Sequence, residues 1–495
     1  MNFRSNRIAT LFRLAALFVL ATAALSAHAQ YNPVYYFGFT DPSQQYPAGQ
    51  LALGQDGNFY GVINYNQAQI YSITPAGAQT LLWAAPGAPA YGTQCYTGLT
   101  AGPDGLLYGT CAYWGGDHYQ TGGSGIIFSF DPTTRAFNII YEFPPCFDGE
   151  ANEPYWPSAL TLGTDGNFYG TTLGNGFCSD DPYGTIFRVS TAGNFKTLYT
   201  FQGYQNDDGQ FPSLLTLAND GNFYGTTQVG RAIPNNYGTV FRVTSKGKIK
   251  YLTTFNNASG TGATPFAGVI QGADGNFYGT TQLGGTNNFG TLFQITKAGK
   301  VKYLHSFSYP SEGVASPGNP LSLGSDGKIY GTGNCFSWGC GAESLYNITT
   351  KGVFNVVYSG FTDPEGACPN WSTTGCALSS AMTLHPNGTF YGTTQQGGDN
   401  GQVIGRGVFY SFSNGQQPHI EMQFPLGKVG SSVGIFGAGF NQASAVSFNG
   451  TSASYTVVSD TYLTAIIPAG AKTGYVTVTE SAGSLRSISK FTVKK

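Results

Sequence analysis

The stretch Thr164-Asp165-Gly166-Asn167-Phe168-Tyr169-Gly170-Thr171-Thr172 decides the fold, because versions of it recur along the chain. Asp-Gly readily adopts the positive φ angles of a tight hairpin turn, and the residues after it suit a strand. The turns stand roughly 50 residues apart, and a period of this length indicates a repeat architecture. They lie at Asp56-Gly57, Asp104-Gly105, Asp165-Gly166, Asp220-Gly221, Asp274-Gly275, Asp326-Gly327 and Asn387-Gly388.

Each repeat holds four predicted strands, which in the third copy cover 159–162, 168–172, 184–189 and 196–201. Four antiparallel strands per repeat are typical of a β-propeller blade. We therefore predict an all-β protein in which residues 30–416 form a seven-bladed β-propeller. A strand at 34–39 is expected to complete the last blade, which lacks its own fourth strand. The alternative is a parallel β-helix, whose rungs are shorter and lack hairpin turns of this kind.

The core Asp-Gly-Asn-Phe-Tyr-Gly-Thr-Thr resembles the GloVer tandem-repeat family of secreted bacterial proteins. The resemblance covers about residues 48–412, and the copies at Asp165, Asp220, Asp274 and Asn387 carry the core most fully. It implies the repeat fold and no particular activity.

Residues 1–29 predict a secretory signal peptide. Arg4, Arg7 and Arg13 precede an apolar run over 14–25, which is too short to remain as a membrane helix, and Ala27-His28-Ala29 forms a small-x-small cleavage site. We expect a secreted protein, extracellular or periplasmic, with no membrane insertion after cleavage. Only 10% of residues are charged and the net charge is −2, which argues against a nucleic-acid partner.

Residues 417–495 predict a second all-β domain, because the repeat ends and short alternating strands follow. Strands are expected at 432–436, 445–448, 462–467, 474–478 and 491–493. The segments 427–430, 437–440, 448–450 and 467–470 resemble an IPT/TIG domain. This resemblance implies an immunoglobulin-like β-sandwich that serves as a spacer or binding module.

The eight cysteines predict disulfide bonds in an exported protein. They fall in or beside the long connections between strands, which are expected to lie on one face of the propeller. Their predicted proximity favours the pairs Cys95–Cys111, Cys146–Cys178, Cys335–Cys340 and Cys368–Cys376. Eight cysteines allow many other pairings, so this connectivity is a hypothesis.

Four of the five tryptophans lie in these same loops, beside tyrosines and acids. Flat aromatic rings with a few hydrogen-bonding groups suit a carbohydrate. The alternative interpretation is that each tryptophan fills the small core of its own loop. The candidate ligand-binding residues are Trp114, Trp156, Trp338, Trp371, Tyr113, Tyr155, Asp117, Asp148 and Glu150.

The leading functional hypothesis is non-catalytic binding or adhesion through the loop-rich face, with an extracellular glycan or a surface protein as partner. One alternative is a secreted polysaccharide-degrading enzyme that uses two loop carboxylates, drawn from a set of acids that includes Asp207 and Asp208. Another is a structural spacer. The sequence indicates no cofactor and no metal site, and the repeated Asp-Gly turns do not favour calcium, because its oxygen ligands must converge on one point. No catalytic residue is predicted.

Overall fold

The computed structural model describes residues 29–38, 44, 46–65, 67–85, 93–114, 125–143, 156–174, 183–203, 208–230, 237–258, 260–309, 311–312, 314–333, 343–359, 376–378, 380–397 and 406–494. Within these ranges the protein is all-β and propeller-like. No helix in the described ranges has the length and apolar character needed to span a membrane.

Each copy of the repeat forms one antiparallel sheet, and we number these sheets 1 to 7 in chain order. Within a sheet, the strand just before the Asp-Gly or Asn-Gly turn is called the inner strand. The strands of each sheet are given in spatial order, with the inner strand first. Sheet 1 holds Pro47–Leu53, Phe59–Tyr65, Gln67–Ile73 and Gln79–Ala84; sheet 2 holds Leu99–Ala101, Leu107–Cys111, Ile126–Phe130 and Phe137–Glu142; sheet 3 holds Thr161–Leu162, Phe168–Thr172, Thr185–Val189 and Phe195–Thr200; sheet 4 holds Gln210–Pro212 and Thr216–Leu217, then Phe223–Val229, Thr239–Val243 and Ile249–Thr254. Sheet 5 holds Val269–Gln271, Phe277–Thr281, Thr291–Ile295 and Val301–Ser306; sheet 6 holds Ser322–Leu323, Ile329–Gly333, Ser344–Ile348 and Phe354–Ser359; sheet 7 holds Cys376–Leu378 and Thr383–Leu384, then Phe390–Gln396, Val408–Ser413 and Gln30–Tyr36.

Two short ribbons accompany these sheets. Thr93–Gln94 pairs with Tyr113–Trp114, and Gly262–Ala263 pairs with Leu283–Gly284, both antiparallel.

The glycine after each Phe-Tyr pair makes room for an aromatic ring of the next strand. Gly170 lies opposite Phe187 in the ladder, and a Cβ atom on Gly170 would come within 2.5 Å of the Phe187 ring. The second strand is buried along its whole length, from Phe168 to Thr172. The repeat core therefore encodes a strand that is packed on both faces. Its glycine leaves space for the aromatic ring of the residue opposite it in the next strand.

The aspartate of each turn organises the hairpin. In sheet 3, Asp165 Oδ1 accepts a hydrogen bond from the backbone N–H of Asn167 at 3.2 Å, while Asp165 Oδ2 accepts one from the Tyr169 hydroxyl at 2.8 Å. The same pair of bonds recurs at the other five Asp-Gly turns. These aspartates thus have a structural role in each turn.

Hydroxyl groups of the inner strands bond several of the sheets to the next one. Thr161 Oγ1 donates to the carbonyl of Leu215 at 2.5 Å, and Thr216 Oγ1 donates to that of Val269 at 2.5 Å. The last sheet bonds back to the first, because Thr383 Oγ1 donates to the carbonyl of Leu51 at 3.1 Å.

The outer strand of sheet 7 comes from the N-terminal part of the chain. Gln30–Tyr36 pairs antiparallel with Val408–Ser413, so this strand starts four residues before the predicted position at 34. Phe37 lies just beyond it in a turn and is buried, and its N–H donates to the carbonyl of Gly407 at 2.9 Å. The inner strand of sheet 3 is also shorter than expected, since it covers only Thr161–Leu162.

The C-terminal segment, residues 417–494, forms two four-stranded sheets around one apolar core. One sheet holds Glu421–Met422, Ser432–Phe436, Tyr462–Ile466 and Tyr455–Ser459. The other holds Thr451–Ala453, Ala443–Phe448, Val476–Glu480 and Gly483–Arg486. In addition, Leu426–Lys428 pairs in parallel with Thr492–Lys494, and Phe440–Gln442 forms a 3₁₀ turn. All five predicted strands overlap observed ones. No strand was predicted at 421–422, 426–428, 451–453, 455–459 or 483–486, where the structure has one.

The C-terminal segment packs on the side of the repeat sheets that carries the Asp-Gly turns. Ser459 and Thr461 both donate their hydroxyls to the carbonyl of Gln55, at 2.6 and 2.8 Å. On another sheet, Lys494 Nζ donates to the carbonyl of Asp220 at 2.8 Å. Among the described residues, the strand ends that lead into the long connections lie on the opposite side of the sheets.

Candidate functional site

A cavity of about 560 Å³, here called the upper cavity, opens on the side of the long connections. It is lined by the residues that lead into the inner strands, which we call the approach segments. Every repeat sheet contributes at least one lining residue, for example Gln50, Tyr96, Trp156, Leu214, Phe266, Asn319 and Ala381.

The approach segments share a strained backbone position. In five of them the residue just before a proline has a positive φ, between 44° and 59°: Tyr46, Trp156, Phe211, Thr264 and Ser316. Such an angle is uncommon for a residue with a side chain, and it persists only where the surroundings enforce it. Here the N–H of Phe211 donates to the carbonyl of Tyr183 in the preceding sheet at 3.0 Å, and Thr264 does the same to Tyr237 at 2.7 Å. The rim of the upper cavity is therefore held by bonds between sheets.

The lining of the upper cavity is aromatic and uncharged. Tyr96 and Phe266 are 48% and 45% exposed, and Trp156 is half-buried. None of the described residues that line this cavity is Asp, Glu, Lys, Arg or His. Its polar groups are hydroxyls and amides, such as Ser213 and Gln228. An environment of this kind suits a neutral ligand with flat apolar faces and hydroxyl groups.

Threonines hold the polar part of the lining in place. Thr171 Oγ1 donates toward Ser158 Oγ at 2.8 Å and lies 3.0 Å from the carbonyl oxygen of Ser213 in the next sheet. Thr226 repeats this with Ser213 Oγ at 2.8 Å and the carbonyl of Pro265 at 3.1 Å. The first threonine of the repeat core thus fixes the approach segments of two sheets.

Of the predicted ligand-binding residues, Trp156 lines the upper cavity. Tyr113 and Trp114 form a strand that pairs with Thr93–Gln94, and their side chains are outside the described part. The remaining candidates lie outside the described residues: Trp338, Trp371, Tyr155, Asp117, Asp148 and Glu150.

One predicted disulfide is present in the structure, between Cys95 and Cys111. It lies beside the upper cavity, because Tyr96 and Ala112 follow its two cysteines and both line that cavity. The Asn64 side chain adds two hydrogen bonds to the backbone of Cys95, at 2.8 and 3.0 Å. For Cys376, which begins a strand, the structure describes the backbone and not the side chain. The other cysteines of the predicted pairs lie outside the described residues, namely Cys146, Cys178, Cys335, Cys340 and Cys368.

Asp208, one of the acids considered for catalysis, is buried and saturated with hydrogen bonds. Its carboxylate accepts bonds from the hydroxyls of Tyr199 and Tyr251 and from the backbone N–H groups of Gln202 and Gly209. This side chain therefore anchors its loop. Across the described residues, no group of three or more His, Cys, Asp and Glu side chains could hold a metal ion.

Sequence reasoning missed Tyr96, Phe266 and Asn319, which contribute to the upper cavity. A signal was available in the sequence: a proline stands shortly before the inner strand in most copies, as in Trp156-Pro157 and Phe211-Pro212. Equivalent approach segments recur in successive sheets, and the structure brings residues beside these prolines together around the upper cavity.

A second cavity, here called the lower cavity, has a volume of about 590 Å³ and lies between the ends of the inner strands and the C-terminal segment. Glu421 and His419 line it from the C-terminal side. Burial raises the pKa of Glu421 to about 7 and lowers the pKa of His419 to about 4. Burial also lowers the pKa of His385, which accepts a hydrogen bond from the N–H of Asn387.

Comparison with protein families adds one match to this geometry. A family model described as the Gloeobacter/Verrucomicrobia repeat matches residues 119–342. The match supports the repeat family. The matched residues include all the strands of sheets 3, 4 and 5. No curated protein matches the sequence.

Solved structures with a similar fold include a fungal alcohol oxidase of the AA5 family in complex with copper, at 13% identity and a TM-score of 0.50. That alignment covers 94% of this chain and 99% of the oxidase. A puromycin hydrolase mutant aligns at 13% identity with a TM-score of 0.45, over 84% of this chain and 62% of that protein. At this identity the likeness to the oxidase shows the fold alone, and it supports a propeller-like architecture.

Proposed function

We propose that this protein is an exported, non-catalytic carbohydrate-binding protein, and that the upper cavity receives a neutral sugar chain. The observation that carries the proposal is the lining of that cavity, which combines three accessible aromatic side chains with hydroxyls and amides and has no charged group among the described residues. Aromatic rings stack on the apolar faces of sugars, while hydroxyls and amides bond their edges.

The proposal includes the architecture that presents the cavity. The seven repeat sheets form a closed seven-bladed propeller over residues 30–416, and residues 417–495 form an immunoglobulin-like domain of the IPT/TIG type. The bond from Thr383 to Leu51 and the pairing of Gln30–Tyr36 with sheet 7 support closure. Export is supported by the signal-like residues 1–29 and by the Cys95–Cys111 disulfide.

The first test is a binding screen of residues 30–495 against neutral and acidic polysaccharides, with analysis of the products for cleavage. We expect binding of at least one neutral polysaccharide without cleavage. Trp156→Ala and Phe266→Ala should each weaken it about tenfold, the loss of one well-packed aromatic contact. Tyr475→Ala serves as the matched control, because Tyr475 lies on the C-terminal segment under Arg486.

Several outcomes would reject the proposal. Preference for acidic polymers would contradict the uncharged lining, and unchanged affinity in both aromatic variants would exclude the upper cavity. Binding of a surface protein alone would replace the carbohydrate as partner, and cleavage would replace the non-catalytic role.

A further inference from the structure

The upper and lower cavities are lined by successive residues of the same chain segments. In sheet 6, Pro320 lines the upper cavity and the next residue, Leu321, lines the lower one. In sheet 7, Ala381 and Met382 are divided between the cavities in the same way. Among the described residues, Gln50 of sheet 1 alone lines both cavities. The two cavities are therefore neighbouring spaces, and Gln50 lies where they meet.

Gln50 departs from a pattern that the other six sheets share. It stands two residues before Ala52, which pairs with the tyrosine of the repeat core in sheet 1. The equivalent positions of the other sheets hold glycine, alanine, leucine or proline. These residues are Gly98, Ala159, Leu214, Gly268, Pro320 and Ala381. At this position of the seven sheets, Gln50 therefore supplies the one hydrogen-bonding side chain and also the longest one.

The backbone that carries Gln50 is held against sheet 2. Gln50 forms a parallel β-bridge with Gly98. Gly49 and Gly98 both have a positive φ, of 69° and 76°, and a Cβ atom on Gly98 would come within 2.4 Å of the Gln50 carbonyl oxygen. Glycine permits both this φ and so close an approach of two backbones. The base of the Gln50 side chain therefore has a fixed position between the cavities.

The Gln50 amide is available to a ligand. Gln50 is exposed, and no hydrogen bond from another described residue engages its side chain. An amide offers two N–H donors and one carbonyl acceptor from a single flat group. Two neighbouring hydroxyls of one sugar unit match this pattern, because one can accept from the N–H group while the other donates to the carbonyl oxygen. Hydrogen bonds are directional, so the match depends on how the hydroxyls are oriented.

We propose that Gln50 is a specificity-determining residue of the upper cavity, and that its amide hydrogen-bonds two neighbouring hydroxyls of the sugar unit that enters deepest. This inference rests on the carbohydrate-binding role proposed above. Trp156 and Phe266 stack on the apolar face of a sugar, a contact that depends little on the orientation of one hydroxyl. The aromatic residues therefore supply affinity, and Gln50 supplies the choice among sugars.

The test is isothermal titration of residues 30–495 with three neutral probes, the methyl β-glycosides of glucose, mannose and galactose. Mannose and galactose each differ from glucose in the orientation of a single hydroxyl. The wild-type protein should bind one of the three about tenfold more tightly than another, because a misplaced hydroxyl leaves the amide without its partner. Gln50→Met keeps the side-chain length and removes the hydrogen-bonding groups, so it should reduce this preference to about twofold or less.

Two further variants separate the choice among sugars from affinity. Trp156→Ala should weaken the binding of all three probes by a similar factor and preserve their order. Gln417→Met makes the same substitution on an exposed residue outside the linings of both cavities, and it should leave all three affinities unchanged.

A preference that persists in Gln50→Met would overturn the inference, and so would equal affinities of the three probes for the wild-type protein. If a polysaccharide binds in the first screen but no methyl glycoside binds, recognition does not depend on one deeply bound sugar unit and the inference also fails. If neither polysaccharides nor methyl glycosides bind, the carbohydrate-binding role itself is rejected.

Discussion

Tyr108, four positions after Asp104 in sheet 2, donates its hydroxyl hydrogen to Asp104 Oδ2 at 2.6 Å. The other oxygen of Asp104 accepts a bond from the N–H of Leu106 at 3.2 Å, so one carboxylate closes the turn and satisfies a buried phenol. Burial, together with this aspartate, raises the pKa of Tyr108 well above its usual range. This hydrogen-bonded pair therefore stabilises the hairpin turn of the repeat.

Replacing Asp104 by Ala should lower the stability of the protein by about 1–3 kcal/mol, because the Tyr108 hydroxyl loses its acceptor and the turn loses its cap. Tyr108→Phe should cost less, about 1 kcal/mol, since the cap remains. Thermal unfolding of both single variants and the double variant measures the coupling between the two side chains. Additive effects would show that they do not act together.

The seventh copy provides a natural comparison for this hydrogen-bonded pair. Asn387 replaces the aspartate, and its amide reaches the Tyr391 hydroxyl only at 3.3 Å. Asn387→Asp should strengthen this contact and raise the melting temperature. An unchanged or lower melting temperature would contradict this prediction.

Gly170→Ala should destabilise sheet 3 by about 1–3 kcal/mol, because the new methyl group overlaps the ring of Phe187. Phe187→Leu removes that ring, so the double variant should lose less stability than the two single effects added together. The measurement is thermal unfolding of the three variants. A double variant no better than the sum would contradict a direct clash.

Removing the Cys95–Cys111 bond with Cys95→Ala and Cys111→Ala should lower stability by about 3 kcal/mol, since the bond closes a loop with a sequence separation of 16. It should also weaken ligand binding in the upper cavity, because Tyr96 follows Cys95 directly. Asn64→Ala is the control, as it removes the two hydrogen bonds to Cys95 and leaves the covalent bond intact. Equal losses of stability and of ligand affinity in the cysteine variant and in Asn64→Ala would indicate that the hydrogen bonds of Asn64, and not the disulfide, are responsible.

His419 predicts acid sensitivity of the contact between the repeat sheets and the C-terminal segment. Burial lowers its pKa from 6.5 to about 4, so the unfolded chain binds a proton at a pH where the folded chain does not. Stability should therefore fall as the pH drops from about 6.5 to about 4, by an amount on the order of 3 kcal/mol. His419→Gln should reduce this slope in melting temperature against pH. An unchanged slope would assign the acid sensitivity to other groups.

Glu421 predicts the opposite trend over a nearby range. The side chain of Glu421 is exposed, yet desolvation by the surrounding protein raises its pKa from 4.5 to about 7, so between these values the folded chain binds more protons than the unfolded chain. Stability should fall as the pH rises through this range. Glu421→Gln should therefore raise the melting temperature at pH 8 and change it little at pH 4. Glu142→Gln should have no effect at either pH, and a similar gain at both values would contradict the prediction.

The sequence determined the strands and turns of the repeat, because their causes are local. Asp-Gly fixes a tight turn, and the buried run Phe168 to Thr172 lies within the few residues that pattern reasoning inspects. The same reasoning found the main strands of the C-terminal segment, because their alternation of buried and exposed residues can be read from the local sequence alone. It missed the strand at 455–459, although Tyr455 and Val457 alternate there and pack against the core.

Only the tertiary structure decided where the candidate sites lie. The upper cavity unites Tyr96, Trp156 and Phe266, which are far apart in the chain and come together because equivalent segments of successive sheets surround one centre. The lower cavity depends on the C-terminal segment bringing Glu421 against the inner strands. Long-range packing sets both arrangements, and no short stretch of sequence encodes such packing.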